Sequence, residues 1–398
     1  MKLVFEPCGS KKATISVTID AGSDVEYPDK WTSGIAHLIE HMSFQGTSDL
    51  SHFELSRQLA TLGVDYNAYT SHDKVFFYMT APAENIIETS HLCSKMLLNR
   101  EFDNDLFEKE KLVVLEEELG ARDDVDSNIV NNLLKFLCGG PLSTLIIGTE
   151  ESIKSISLEE AQRFHSTYYR PENMLITVSG PKDLDCSKIS EYFAPDTNVF
   201  NLSEKQNSFY KYDKEITTYD KRIQQPRVFV GHRAFSYLEN KTLVLKFMNK
   251  FFSEDMDSRL FQSLRQKHGL CYCVTSYTSI FKEVGWDIVY VKTSEENVSK
   301  SVELINEEIS NLLKDGPTDE EITRAKNKYI SEIYSSLETS YGVNMITSHK
   351  KYLDLPTIEE NIERIKNMTV NEIKNVCNEV FDEENRQVFV CLPEKEEK

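Results

Sequence analysis

An internal repeat is the feature that most restricts how this chain can fold. The segment that begins near Ser56 resembles the segment that begins near Leu264, at a displacement of about 206 to 212 residues. Each copy runs through the same patterns: a strand, a long helix, two alternating strands rich in aromatic residues, further helix and a last strand. A repeat of this size predicts two homologous domains.

The pattern within each copy predicts an α+β fold, in which helices pack on a mainly antiparallel sheet. Strands such as residues 74–80 lie between turn-forming residues, as the strands of hairpins do. The stretch 201–219 is polar and has no sustained period, which is typical of a boundary. We therefore predict a first domain at residues 1–205, a linker at 206–221 and a second domain at 222–398.

Composition and charge exclude several classes of protein. The net charge is −20, from 45 Lys and Arg against 65 Asp and Glu, which does not suit binding to nucleic acid. No apolar run approaches the roughly 20 residues that cross a bilayer, so we expect no membrane segment. The amino terminus lacks the pattern of a secretion or transit signal, and the eight cysteines form no Cys-x-x-Cys pair. These features predict a cytoplasmic protein with free thiols.

The motif with the clearest chemistry is His37-Leu38-Ile39-Glu40-His41, in a predicted helix at residues 32–44. Residues four apart share a helix face, so His37 and His41 can present two imidazole nitrogens to one metal ion. Glu40 is close enough to act on a metal-bound water rather than as a ligand. The motif therefore predicts a metal centre that lacks one protein ligand, which must come from further along the chain.

A predicted helix at residues 107–119 offers that ligand. Glu110 and Glu117 are seven residues apart and share one face over two turns. The reversed zinc motif followed by this helix resembles the pitrilysin and mitochondrial processing peptidase family, the inverzincins. The resemblance implies Zn²⁺ as the cofactor, Glu117 as its third ligand and Glu110 as a residue that assists catalysis. We expect the neighbouring Glu116 and Glu118 to be solvated.

The resemblance extends along the whole chain and adds residues that bind substrate. The segment Asn67-Ala68-Tyr69-Thr70 resembles the family's edge strand, to which an extended peptide adds through backbone hydrogen bonds. The resemblance implies that Asn67, Ala68 and Tyr69 bind substrate. In the second copy, Arg265 and Tyr272 resemble the family's pair that contacts the substrate backbone. The residue types alone favour a surface ion pair for the arginine and a half-buried aromatic for the tyrosine.

The second copy keeps the pattern of the first but not its metal ligands. Alignment of the two copies sets His37, Glu40 and His41 against Val244, Phe247 and Met248, which cannot bind zinc. We therefore predict one zinc ion per chain, held by the first domain. The family resemblance implies that this loss is normal for a second domain.

Together these features predict a zinc endopeptidase that cuts extended peptides or unstructured protein segments inside an enclosed chamber. The resemblance implies that one chain is half of a clamshell, so we expect a homodimer or a heterodimer with a related subunit. In such a dimer, the Arg265 and Tyr272 pair would complete the site of the partner chain. Two alternatives are a noncatalytic scaffold, like the family's relatives among respiratory-complex subunits, and a peptide-binding chaperone with a structural zinc.

Overall fold

The computed structural model of the chain describes residues 2–98, 102–194, 205–237, 239 and 241–394. The described strands, in chain order, are β1 (Lys2–Pro7), β2 (Lys12–Ile19), β3 (Asp65–Thr70), β4 (Val75–Pro82), β5 (Cys138–Gly139), β6 (Met174–Gly180), β7 (Phe209–Tyr210), β8 (Glu215–Asp220), β9 (Arg227–Ala234), β10 (Cys271–Ile280), β11 (Gly285–Thr293) and β12 (Arg386–Pro393).

The described α-helices, in the same order, are α1 (Ile35–Ser43), α2 (His52–Thr61), α3 (Ile86–Leu98), α4 (Asn104–Asp123), α5 (Val125–Leu137), α6 (Glu150–Ser155), α7 (Leu158–Tyr168), α8 (Ser187–Tyr192), α9 (Thr242–Asn249), α10 (Val298–Asp315), α11 (Asp319–Leu337), α12 (Ser340–Tyr352), α13 (Ile358–Asn367) and α14 (Val370–Val380). Two π-helical segments follow α9, at Lys250–Glu254 and Phe261–Lys267.

The chain forms two compact units that are not continuous in sequence. The first unit contains Met1–Asp124, Gly140–Asn207 and Ser335–Leu355, and the remaining segments form the second. Each unit therefore takes a helix from the opposite half of the sequence: α12 belongs to the first unit and α5 to the second. A single division at residues 206–221 does not describe this exchange of helices. The exchange depends on packing between segments that are distant in the sequence.

Each unit contains one five-stranded sheet, and the two sheets have the same plan. The strand order is β1-β6-β2-β4-β3 in the first unit and, from the corresponding edge, β8-β12-β9-β11-β10 in the second. One pair in each sheet is parallel, β1 with β6 and β8 with β12, and the other pairs are antiparallel. The predicted fold class, two homologous α+β domains with mainly antiparallel sheets, is confirmed.

Strand β2 shows how the first sheet is buried on both faces. Its apolar residues, such as Ile15 and Val17, are fully buried in the main core of the unit. The alternating Thr14 is also fully buried, and its Oγ1 lies 3.0 Å from Oγ of Ser340 on α12. The side-chain amide of Asn344 on α12 donates to the backbone oxygen of Thr14 at 3.0 Å. Helix α12 therefore covers the polar face of this sheet.

Edge strand β3 remains uncovered along one side, because it pairs only with β4 within the described sheet. Helix α1 packs beside β3, and this arrangement positions the residues described next. None of the helices in the described ranges combines the length and apolar character needed to cross a membrane.

Candidate active site

The start of α1 is fixed by a buried carboxylate. Glu26 accepts hydrogen bonds from the backbone N–H groups of Gly34 and Ala36, each at 3.0 Å, and so satisfies two amides that the helix cannot. Gly34 has φ of 91°, and a Cβ atom there would lie 2.5 Å from the backbone oxygen of Ile147. Only glycine fits this close approach without strain. The orientation of the whole motif therefore depends on this turn.

Helix α1 presents His37 and His41 on one face, as their spacing predicts. Their ring centroids are 4.6 Å apart. Both imidazoles direct Nε2 toward Glu117 on α4: His41 Nε2 is 3.1 Å from Glu117 Oε2, and His37 Nε2 is 3.8 Å from Glu117 Oε1. The side chain of Glu117 is half-exposed, whereas the histidines are mostly buried. Two helices distant in sequence thus bring three candidate metal ligands together.

Glu110 lies behind His41 rather than beside the three ligand atoms. Its Oε1 is 3.0 Å from His41 Nδ1, and its Oε2 accepts a hydrogen bond of 2.7 Å from Nε2 of Gln45. A carboxylate on the far nitrogen fixes the orientation of a histidine and increases its basicity toward a metal. Gln45 in turn holds the carboxylate, so Gln45, Glu110 and His41 form a continuous chain.

The surroundings shift the pKa values of the two histidines in opposite directions. Burial, with a smaller effect of His41, lowers the pKa of His37 to about 3, so its imidazole is neutral at physiological pH. Burial alone would lower the pKa of His41, but the hydrogen bond to Glu110 and the nearby carboxylates of Glu117 and Glu40 together raise it. A metal ion would therefore have to displace a proton from His41.

Glu40 lies on the same helix with its side chain directed to β3. The residue is buried, with 7% of its surface exposed, and its Oε2 accepts a hydrogen bond of 2.6 Å from Oγ1 of Thr70. Burial raises the pKa of Glu40, while the Thr70 hydrogen bond and His41 oppose that rise. A carboxylate with a raised pKa accepts a proton more readily near neutral pH.

The three ligand atoms fit a zinc ion. One atom each from His37, His41 and Glu117 lies within 4.8 Å of the others, and this is the one such group of three metal-binding side chains in the described ranges. Zinc ligands at bond lengths of about 2.1 Å and tetrahedral angles lie about 3.4 Å apart. Two imidazoles and one carboxylate form a donor set of catalytic zinc sites, which keep a fourth position open.

The neighbours of Glu117 differ in their surroundings. Glu116 is exposed, as expected. The expectation that Glu118 is solvated is wrong: the residue is 4% exposed and its carboxylate pairs with Arg122 one turn later. Because α4 packs against other elements of the unit, a one-residue step on the helix moves a carboxylate from the site to a buried position, where it pairs with the half-exposed Arg122.

The predicted peptide-binding residues Asn67, Ala68 and Tyr69 lie on β3, the uncovered edge of the first sheet. Tyr69 is 40% exposed and stacks on Phe76 of β4, with ring centroids 5.2 Å apart. The free edge leaves backbone groups available for an added strand. The structure therefore brings this predicted strand beside the helix that carries Glu40.

Arg265 and Tyr272 are close to each other in the second unit. The Arg265 guanidinium carbon lies 4.7 Å from the ring centroids of both Tyr272 and Phe261. Tyr272 is 81% exposed, so the half-buried aromatic that its residue type alone favoured is wrong. On helix α9, Val244, Phe247 and Met248 are all fully buried core residues.

Three residues with a clear structural part were not identified from the sequence. Thr70 ends the segment Asn67–Thr70, whose likeness to the edge strand drew attention only to its first three positions. Gln45 lies four residues after His41, just beyond the end of α1, and this helix-like spacing would have indicated that the two residues are neighbours. Glu26 carries no local signal, because its contacts are made through a turn of the tertiary fold.

Two family models match the chain. The model described as "Insulinase (Peptidase family M16)" matches residues 5–139, and the one described as "Peptidase M16 inactive domain" matches residues 155–329. The first range contains His37, His41 and Glu117. The two models together span most of both halves of the chain.

Similar proteins and structures agree with this assignment. The "Uncharacterized zinc protease YmxG" of Bacillus subtilis (strain 168) is 28% identical over 385 residues, which cover 94% of this chain and 91% of that protein. The mitochondrial "Cytochrome b-c1 complex subunit 1" of Caenorhabditis elegans is 25% identical over 359 residues, covering 85% and 74%. A crystal structure of a peptidase M16 inactive domain from Pseudomonas fluorescens matches 100% of this chain and 96% of its own, with a TM-score of 0.86 and 17% identity. At this identity the match shows that the two proteins share a fold and nothing more.

The motif, the repeated fold and these matches are consistent with one another. The resemblance to the pitrilysin and mitochondrial processing peptidase family is confirmed. The chain belongs to peptidase family M16.

Proposed function

We propose that this chain is a zinc-dependent endopeptidase that hydrolyses extended peptides or unstructured segments of proteins. The observation that carries the proposal is the convergence of His37, His41 and Glu117, with the Glu40 carboxylate on the same helix as the two histidines. Relatives named as zinc proteases support this activity. A metal site with a purely structural role would not need the Glu40 carboxylate.

His37, His41 and Glu117 would hold the metal, with Glu110 fixing the orientation of His41. A zinc ion bound there would supply Lewis-acid chemistry, by lowering the pKa of a water molecule toward 7 and polarising a peptide carbonyl. The carboxylate of Glu40 then accepts a proton from the attacking water. It later delivers this proton to the nitrogen of the leaving amine.

The exposed edge of β3 is the proposed docking place for the substrate. An extended peptide can add to Asn67, Ala68 and Tyr69 by backbone hydrogen bonds, which favours unstructured substrates over folded ones. Tyr272, largely exposed in the second unit, and the partly exposed Arg265 beside it are proposed to contact the peptide backbone and the developing oxyanion. Their mutual stacking keeps the guanidinium ordered before substrate arrives.

We also propose that the protein acts as a dimer, a homodimer or a pair with a related subunit, enclosing a chamber. A cytoplasmic location is proposed on the state of the thiols. All eight cysteines are free, and five of them are buried, which suits a reducing compartment.

The test of the activity is the pair Glu40→Gln and Glu116→Gln, assayed with a library of quenched peptides and with metal analysis. Glu40→Gln should abolish cleavage and keep zinc near the wild-type content, because the amide has the same shape but cannot accept a proton. Glu116→Gln, an exposed carboxylate on α4, should retain both cleavage and zinc. Substantial turnover by purified Glu40→Gln would remove that residue from the role of base.

A noncatalytic scaffold is the second candidate, favoured by the similarity to the cytochrome b-c1 complex subunit. A scaffold or a peptide-binding chaperone with a structural zinc would not need Glu40. If the zinc-loaded wild type binds peptides but leaves all of them uncut, and Glu40→Gln binds them equally well, this second candidate replaces the endopeptidase.

A further inference from the structure

The hydrogen bond between Thr70 and Glu40 joins the two parts of the proposed site. Thr70 Oγ1 donates to Glu40 Oε2 at 2.6 Å. Among the described residues, it is the one hydrogen bond that the Glu40 carboxylate accepts. A hydrogen bond to an ionised carboxylate is stronger than one between neutral groups, and burial strengthens it further. The Glu40 side chain is therefore anchored by a single donor.

Thr70 is well suited to hold a carboxylate in place. It is the last residue of β3, paired in register with Val75 of β4, so its backbone is fixed by the sheet. A β-branched side chain on a strand has few χ1 rotamers, which keeps Oγ1 at a defined position. The bond uses one acceptor site of Oε2, and Oε1 of Glu40, which accepts no hydrogen bond from the described residues, stays available to exchange a proton with water.

We propose that Thr70 is a positioning residue that aligns Glu40 for proton transfer. The inference rests on the proposed endopeptidase function. Thr70 follows directly after Asn67–Tyr69 on the strand that would bind the peptide. The strand that would receive the substrate therefore also holds the proton acceptor.

The test compares Thr70→Val, which keeps the branched shape but lacks the hydroxyl, with Thr70→Ser, which keeps the hydroxyl. Thr70→Val should lower kcat by about 10- to 100-fold, the range expected for a lost hydrogen bond to a charged group. KM should stay within about twofold, because the β3 backbone is unchanged. Thr70→Ser should recover kcat to within a few-fold of wild type.

The controls separate alignment from folding. Thr217→Val removes a hydroxyl from an exposed position on β8, an edge strand of the second unit, and should leave kcat unchanged. Zinc content of the Thr70 variants should match wild type, and each variant should remain fully folded at the assay temperature, as its thermal unfolding curve would show. If Thr70→Val does not fold, Thr70→Ala removes the hydroxyl with less crowding and carries the same expectation.

Two kinetic results would overturn the inference while the proposed function stands. One is an active wild type with kcat of Thr70→Val within about twofold, and the other is a Thr70→Ser variant as impaired as Thr70→Val. A fall in zinc content that accounts for the lost activity would also overturn it, because Thr70 would then act on the metal site. A zinc-loaded wild type that cleaves no peptide overturns the proposed function, and this inference with it.

Discussion

Replacement of Glu110 by glutamine tests how strongly zinc binding depends on the group behind His41. Glu110 contacts His41 Nδ1 at 3.0 Å, and its side chain is only 10% exposed, so solvent screens the contact weakly. Partners in this position contribute about 10- to 100-fold to metal affinity, which is about 1.4 to 2.7 kcal/mol at 1.36 kcal/mol per tenfold change. Glutamine keeps an accepting oxygen but loses the charge, so we expect a loss near tenfold.

The same contact predicts how the loss varies with pH. The hydrogen bond to Glu110 helps to raise the pKa of His41, against the opposing effect of burial. Protons therefore compete with zinc at His41 more strongly in the wild type than in Glu110→Gln. As the pH falls through the pKa of His41, wild-type affinity should fall faster, and the difference between the two proteins should narrow.

The assay is competition for zinc with a coloured chelator, on purified metal-free protein, at several pH values. Glu116→Gln is the matched control, since it removes the same charge from an exposed position on the same helix. Equal zinc affinity of the Glu110 and Glu116 variants at every pH would refute the assigned role. A difference that widens as the pH falls would refute the explanation based on the His41 proton.

Two further predictions concern the proposed zinc ligand on α4 and a buried carboxylate of the second unit. Glu117→Gln should weaken zinc binding far more than Glu116→Gln, since a neutral amide is a poor zinc ligand; metal analysis after dialysis would contradict this if both retained zinc equally. Asp287 is fully buried, and burial raises its pKa to about 7 against hydrogen bonds from Asn249 and Thr278. Because the pKa of Asp287 is higher in the folded than in the unfolded protein, its contribution to the free energy of unfolding is complete below the unfolded-state pKa of 3.8. That contribution is lost as the pH rises through about 7. Asp287→Asn should therefore flatten the fall in unfolding free energy between those pH values in urea titrations, and an unchanged slope would contradict the assignment.

Local spacing accounts for the part of the site that the sequence predicted. His37, Glu40 and His41 lie within one helix, where the 3.6-residue period alone decides which side chains are neighbours. The strands of the two homologous sheets were predicted in the same way, because alternation and turn residues are recognised within short stretches of sequence. These features depend on residues close in the chain and need no knowledge of the rest of the fold.

The surroundings of the adjacent glutamates depend on the packing of α4. Sequence and family resemblance pointed to Glu117, and the structure directs that carboxylate to both histidines. They did not predict that Glu118 is buried and pairs with the half-exposed Arg122. Whether a carboxylate is solvated depends on what packs against its side of the helix, which a charge pattern does not contain.

Tertiary structure alone decided the long-range contacts. The alternation in β2 is compatible with one face in water, yet that face is buried by α12, whose Ser340 lies 326 positions from its partner Thr14. The bond from Thr70 to Glu40 spans 30 positions between a strand and a helix. Sequence fixes which groups can form such contacts, but the folded chain decides which of them meet, because contacts between distant segments depend on how whole helices and sheets pack.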